Sequence, residues 1–335
     1  MEKVLTVVVP VYKVEQYIDK CLTSLILPDE QMTQLEVLVV NDGTPDQSAI
    51  MAKTYEEKYP DTFRVIDKEN GGHGSAWNRG VREAHGKYIK FLDSDDWYDN
   101  ADFSTLVKRL THCDADVVLC NINKHFVNRG TVEKVQLVNM KDGENYRIAN
   151  YDWLGSGNDT ELFDFWYATY RTSMLQAVQP LFVEKVFYDD AILFIAPVIL
   201  GETFSFFDLT IYNYLIGRVG QTMNLSAQVA HAKDYIKVST SMVDFAERHG
   251  YDEGYKKPFV CLRLNIYIRN TFIYLNALPK DQLKHIVKVS WLPYVKEHFP
   301  DYKESKVVKY YLTLPYWLYK RFFKWKIEKQ HYRYS

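Results

Sequence analysis

Cysteine is scarce in this sequence, with four in 335 residues. Cys21, Cys113, Cys120 and Cys261 form no CxxC pair, and none lies beside a metal-spaced histidine. That excludes a disulfide-stapled scaffold and a thiolate zinc site, and it predicts reduced, buried thiols in a cytoplasmic protein. Long apolar runs are missing as well. The best candidate, residues 191–200, is about half the roughly 18 residues that a membrane-crossing helix needs, so no span is expected. The opening MEKVLTVVVPVY has too short an apolar run for a signal peptide. It contains Pro10, and no small-residue cleavage site follows, so it reads as a first β-strand. A charge excess is also absent. Lys and Arg number 41 against 43 Asp and Glu, a net charge of −2, which gives no hint of nucleic-acid binding by the chain as a whole. There is no internal repeat and no low-complexity segment.

Aromatic residues are abundant at 15%, with 26 tyrosines. A buried tyrosine needs a partner for its hydroxyl, so this load suits interfaces, sugar platforms or a membrane surface. The remaining composition is that of a globular chain, 47% hydrophobic and 25% charged. The length fits one large domain or two smaller ones.

The first 120 residues alternate strand and helix patterns. Residues 5–9 form a continuous β-branched run, as expected of a strand buried on both faces. Residues 14–27 carry Tyr17, Ile18, Cys21, Leu22 and Leu25 at helical spacing. A second buried strand, 35–40, runs into the turn signal Asn41-Asp42-Gly43-Thr44-Pro45. Asp46 reads as the N-cap of a helix through Lys58. A third strand spans 63–67, a helix 75–85 stops at Gly86, and a fourth strand spans 88–92. Residues 115–120 form another. This rhythm predicts a mostly parallel α/β sheet with helices on both faces. Beyond it the pattern predicts a hairpin over 124–140 turning at Asn128-Arg129-Gly130, a Gly/Asn-rich loop at 153–159, and short strands at 203–207 and 211–215. Helices follow at 228–249, 256–278 and 280–289, with a tail from Tyr302.

In an open α/β sheet, ligands sit beyond the carboxyl ends of the strands. Here those ends read Pro10-Val11-Tyr12, Asn41-Asp42-Gly43-Thr44, Asn70-Gly71-Gly72-His73-Gly74-Ser75 and Asp93-Ser94-Asp95-Asp96. Three carboxylates within four residues repel unless a cation or a proton offsets them. Mg²⁺ or Mn²⁺ would do so while keeping positions open for substrate phosphate oxygens. The plainer reading of the triplet is an acidic start to the helix at 100–110, favoured by the helix dipole.

The segments TVVVPVYKVEQYIDKCLTSL, VLVVNDGTPDQS and NGGHGSAWNRGVREAHGKYIKFLDSDDWYD, in this order and spacing, resemble the family 2 glycosyltransferases. The resemblance is dense over residues 1–110 and thinner over 180–224, where VFYDDAILF and IYNYLIGRVGQTMN are similar to later family signatures. It implies the GT-A fold, in which a Rossmann-like nucleotide-binding half merges with an acceptor-binding half. The expected division is a GT-A domain over 1–224, split near residue 121, followed by a helical region over 225–335.

The resemblance also implies roles. Pro10, Val11 and Tyr12 would pack on the donor base, and Asp42 would hydrogen-bond it. The plainer reading of Asp42 is an Asx-turn residue holding its own loop. Asp93 and Asp95 match the DxD motif, whose acids touch the ribose, beside Ser94, and the metal bridging the diphosphate. Asp96 would substitute or support. Asn70, Gly71, Gly72 and His73 would form a phosphate cradle at a helix start. Trp77 stands where many members carry an arginine, so its charge would have to come from Arg79 or elsewhere. Asp190 takes the place of the general base of an inverting transfer, and Asp189 replaces the usual glutamate beside it. The alternative for this pair is two acids at a helix start. Arg218 and Gln221, flanked by Gly217 and Gly220, suggest a loop closing over the diphosphate, or a surface turn.

Residues 303–335 carry nine Lys and Arg against two Glu, a balance of +7. Aromatics interleave with them. Such a segment reads as a membrane-surface anchor, with a packed helix or an RNA contact as alternatives. Together these features predict an inverting, metal-dependent glycosyltransferase using a nucleoside diphosphate sugar, by preference a UDP-sugar. Its acceptor would be a glycan or a lipid-linked saccharide at the inner face of the cell membrane, in cell-surface polysaccharide synthesis. Two rivals remain: a nucleotidyltransferase forming a nucleotide sugar, which would want a Gly/Arg-rich loop after strand one where PVYKVEQY stands, and a non-catalytic glycan-binding relative.

Overall fold

The structure is a computed structural model that describes residues 2–158, 163–218, 221 and 225–331; at 225, 226 and 324–331 it describes the backbone. Asp159, Val219, Gly220 and residues 222–224 and 332–335 lie outside the described residues, as do the side chains of Lys324, Trp325, Lys326, Glu328 and Lys329.

The chain begins with β1 (Leu5–Val11), α1 (Ile18–Thr23), α2 (Asp29–Met32), β2 (Leu35–Asn41), α3 (Ser48–Lys58), β3 (Phe63–Asp67), α4 (His73–Glu83) and β4 (Tyr88–Phe91). It continues with β5 (Trp97–Tyr98), α5 (Asn100–Leu110), β6 (Val117–Phe126), β7 (Thr131–Val135), β8 (Asn145–Arg147), β9 (Ala168–Arg171) and α6 (Thr172–Gln176). A 3₁₀ helix (Asp189–Phe194), α7 (Ala196–Leu200) and β10 (Thr203–Ile216) complete the α/β part. The strands form one sheet in the order β3-β2-β1-β4-β9-β6-β10-β5, with β7 beside β6 and β8 beside β10. β1 to β4 run parallel, so their carboxyl ends share one edge. β1 is buried along its whole length, which explains its continuous apolar run. All four cysteines are free, and Cys21, Cys113 and Cys120 are buried.

Several boundaries differ from the sequence reading. The helix expected over 14–27 is only α1, with the Ser24 hydroxyl donating to the Cys21 carbonyl at 2.6 Å at its end. The capping acid Asp46 does serve α3, accepting the Ser48 N–H at 3.1 Å, although the helix begins at Ser48. The hairpin turning at 127–130 exists, but β7 ends at Val135. The strands expected at 203–207 and 211–215 are one strand, β10, with register shifts between Phe206 and Thr210 and between Thr210 and Tyr212. That irregularity is what made it read as two.

The helical region comprises α8 (Leu225–Ala230), α9 (Asp234–His249), α10 (Lys256–Leu275), α11 (Lys280–His285), a π-helical segment (Ile286–Ser290), α12 (Trp291–His298), α13 (Lys306–Thr313) and α14 (Tyr316–His331). The helix expected over 228–249 is thus two, broken at 231–233. The region packs on the sheet part through aromatic contacts: Tyr235 stacks on Tyr188 at 4.4 Å, and the Arg263 guanidinium covers Phe194 at 4.1 Å. Among the described residues no helix is long and apolar enough to cross a membrane.

The basic tail is partly a packed helix. Tyr311, Tyr319 and Phe323 are buried, and the Tyr319 hydroxyl donates to Asn276 Oδ1 at 2.6 Å. Phe323, within the segment read as a membrane-surface anchor, therefore faces the protein. Trp317 is the exception, at 69% exposure beside exposed Leu318.

Candidate active site

Where β1, β2 and β4 end, an open cleft of about 510 Å³ is lined by Pro10, Val11, Tyr12, Asp42, Asn70, Gly72, His73, Asp93, Ser94, Asp95, Asp189, Asp190, Arg218 and Gln221. Thus almost all of the candidate residues, drawn from six separate stretches of sequence, meet in one place. Phe165, Trp166, Lys185, Val186, Phe187, Tyr188 and Tyr214 also line it, and these the sequence reading missed. They come from loops and from the antiparallel half of the sheet, whose pairing is not local in sequence.

Asp42 follows β2 and is buried. Its Oδ1 accepts the Gly71 N–H at 2.9 Å and its Oδ2 the Gly72 N–H at 2.8 Å. The Lys68 ammonium donates to Oδ1 at 2.5 Å. The acid therefore shapes the Gly-rich loop. Two N–H groups of the expected phosphate cradle, those of Gly71 and Gly72, are therefore spent on Asp42. Gly71 itself does not reach the cleft wall. Gly72 has φ of +84°, and a Cβ there would meet Lys185 N at 3.2 Å, so the loop requires glycine on both counts.

α4 starts with His73, held between two acids. Its Nδ1–H donates to Asp189 Oδ2 at 3.1 Å and its Nε2–H to Asp93 Oδ1 at 3.3 Å. Burial works against its charge, but Asp189 and then Asp93 outweigh it, keeping the imidazolium well above the usual histidine range. Gly74 lets this happen: a Cβ there would fall 2.5 Å from Val183 O and 2.8 Å from Asp189 Oδ2. Trp77 is fully buried. It stacks on Phe91 at 4.4 Å, and Phe182 meets it edge-on at 5.1 Å. Arg79 does not supply the missing charge, because it pairs with Glu83 and lies outside the cleft lining.

One oxygen each of Asp93, Asp95 and Asp96 lies within 4.8 Å of the others. Hard oxygen donors at this spacing fit Mg²⁺ or Mn²⁺. Asp93 and Asp95 line the cleft, whereas Asp96 is buried with both oxygens in use. They accept the Tyr212 hydroxyl and the Leu215 N–H, each at 2.7 Å, so Asp96 braces the acidic turn against β10. Burial, and then the repulsion of Asp93, raise the Asp95 carboxyl, and the Arg218 guanidinium opposes them through an ion pair with Asp95. Gln221 binds the backbone at the end of β10, accepting the Gly217 N–H at 2.8 Å and donating to Leu215 O at 2.9 Å.

Asp190 lies half-buried on the cleft wall, one residue into the 3₁₀ helix. Burial, then the neighbouring Asp189, push its carboxyl up to about 7, and His73 partly offsets them. A carboxylate with a pKa near neutrality suits proton acceptance. Asp189, by contrast, is committed to His73. The two adjacent acids thus differ in environment and in the work open to them.

A sequence model described as glycosyl transferase family 2 matches residues 6–176, just over half of the chain. The chain is 36% identical over 137 residues to the uncharacterized glycosyltransferase EpsJ of Bacillus subtilis (strain 168), covering 41% of this chain and 39% of EpsJ. It is 37% identical over 102 residues to the minor teichoic acid biosynthesis protein GgaB of the same organism, covering 30% of this chain and 11% of GgaB. These matches span well under two thirds of either relative. Among solved structures, that of S. aureus TarS residues 1–349 with UDP superposes with a TM-score of 0.63, covering 92% of this chain and 91% of TarS at 19% identity. The same TarS segment has also been solved with UDP-GlcNAc. The fold is therefore GT-A-like, with a helical C-terminal region.

Proposed function

The chain belongs to glycosyl transferase family 2, and from that premise we propose that it moves a sugar from a nucleoside diphosphate sugar, by preference a UDP-sugar, to an acceptor hydroxyl with inversion. The observation that carries this reading is one cleft holding both Asp190, with its carboxyl near 7, and the Asp93 and Asp95 acids. The UDP and UDP-GlcNAc complexes of TarS support the choice of nucleotide. GgaB, by its name a teichoic acid biosynthesis protein, supports a cell-surface glycan or lipid-linked saccharide as acceptor.

Pro10, Val11 and Tyr12 pack on the base, and Asp42 orders the loop beside it. Asp93 and Ser94 face the ribose and diphosphate. Asp93 and Asp95 would hold Mg²⁺ or Mn²⁺, whose charge, when bound, offsets that of the departing diphosphate. Asp190 accepts the proton of the acceptor hydroxyl as that oxygen attacks the anomeric carbon. The bond from that carbon to the diphosphate oxygen breaks on the opposite face, which inverts the configuration. Asp189, through His73, keeps Asp93 and the 3₁₀ helix in register. Residues 1–224 form the transferase unit in this reading, and 225–335 its helical extension.

A thermal-shift screen of nucleotide sugars with Mn²⁺ tests the donor. A ligand at 100 times its Kd stabilises by about 2.7 kcal/mol, so UDP-sugars should raise Tm by several degrees. If no nucleotide sugar raises it, the donor assignment fails.

The tail supports, in this reading, a location at the inner face of the cell membrane. Exposed Trp317 and Leu318 sit on α14 near exposed Arg321, whereas the Lys320 ammonium donates to Asn276 O at 2.8 Å. Each basic residue near an anionic surface contributes about 1 kcal/mol, weakened by salt. The full chain should co-sediment with anionic liposomes at low salt, and Trp317→Ala should reduce the bound fraction. Full recovery in the supernatant would make the tail a packing element and a soluble acceptor the better choice.

A further inference from the structure

The cleft is short of positive charge for a phosphate-bearing ligand. Five carboxylates line it: Asp42, Asp93, Asp95, Asp189 and Asp190. The cations nearby are already engaged. Lys68 neutralises Asp42, Arg218 pairs with Asp95, and His73 lies between Asp93 and Asp189. Trp77 occupies the position where an arginine was expected, and the N–H groups of Gly71 and Gly72 serve Asp42.

Lys185 is different. It lines the cleft and is exposed, and among the described residues its ammonium has no carboxylate, carbonyl or ring partner. Its backbone is held by its surroundings. Lys185 has φ of +57°, a left-handed conformation that is unfavourable for a residue with a Cβ and that persists only where its surroundings impose it. The imposing contacts are the Lys185 N–H donating to Gly71 O at 2.9 Å and the close seat of its backbone against Gly72. A lysine kept where glycine would be easier, beside the first turn of α4 and five residues before Asp190, is best explained by its side chain.

We propose that Lys185 binds a phosphate group of a substrate in this cleft. The inference rests on the glycosyltransferase reading, which supplies two sources of phosphate: the donor diphosphate and a phosphate-bearing acceptor. The ammonium is a point charge on a flexible stem, suited to following a phosphate as the sugar leaves.

Calorimetry on the full chain with Mn²⁺ tests it, using UDP and uridine as probes and Lys185→Gly and Lys185→Arg as variants. Glycine accepts the left-handed backbone, so Lys185→Gly should fold with unchanged or higher Tm. Its UDP affinity should fall about ten-fold or more, the usual weight of a charge-assisted contact, while uridine affinity is unchanged, and Lys185→Arg should recover most of the loss. That result assigns the donor diphosphate. If UDP binding is unchanged but glycerol 3-phosphate inhibits donor hydrolysis by the wild type and not by Lys185→Gly, the phosphate is the acceptor's. No change in either probe overturns the proposal, as does an equal loss of uridine and UDP affinity. A wild-type chain that binds no UDP at all overturns the donor reading beneath it, before any variant is made.

Discussion

Asp190→Asn is expected to retain UDP affinity and to lose about 10²–10⁴ of the transfer rate, the range typical of a lost general base. The acid lies on the cleft wall, and its neighbour Asp189 is engaged by His73, so no adjacent carboxylate is free to replace it. The wild-type rate should rise with pH through about 7, where Asp190 loses its proton, and the variant should lose that limb. Stability gives an independent readout. The folded pKa of Asp190 lies above its unfolded value near 3.9, so between the two the folded chain binds more protons and stability falls as pH rises. The penalty is absent below about pH 4 and complete above about pH 7. Asp190→Asn should therefore melt higher than wild type at pH 8, by an amount equivalent to about 1–3 kcal/mol, and the gain should vanish near pH 4. A variant whose rate stays within a few-fold of wild type would place the base elsewhere.

Chelation should have an effect of similar size on donor binding. Burial, and then the repulsion of Asp93 on the same turn, disfavour the charge of Asp95, and a diphosphate adds further negative charge. EDTA should therefore weaken UDP binding by about 100-fold or more, since a bound divalent ion supplies several kcal/mol of charge stabilisation. Asp95→Ala should bind UDP weakly with or without Mn²⁺. Asp96→Ala should differ, losing stability through the freed Tyr212 hydroxyl and Leu215 N–H. Full-strength UDP binding by Asp95→Ala without metal would remove the metal from the account.

Much of this was legible in the sequence because the informative residues are consecutive there. Pro10-Val11-Tyr12, Asn41-Asp42 and Asp93-Ser94-Asp95 each terminate a buried parallel strand, and parallel strands bring their ends to one edge by topology alone. What residues do to each other across that edge was not legible. Asp42 was expected to face a ligand and also proves to shape the Gly loop, a contact 29 residues away in sequence. His73 reaches Asp189, 116 residues away, as well as Asp93, and no local pattern announces that pairing. β5, β8 and β9 are two to four residues long, too short to show periodicity, and they pair with distant strands. The role of Lys185 depends on a backbone angle, and a lysine in a polar loop carries no signal of one.

The most direct test is turnover followed by proton NMR, with the chain, Mn²⁺ and each of a panel of nucleotide sugars. The account predicts that one UDP-sugar is consumed, that UDP is released only with metal, and that the sugar first appears with the opposite anomeric configuration to the donor. Asp190→Asn should bind that donor and leave it intact. Release of pyrophosphate from a nucleoside triphosphate and a sugar 1-phosphate, or a donor left intact by the wild type across the panel with binding preserved, would contradict it.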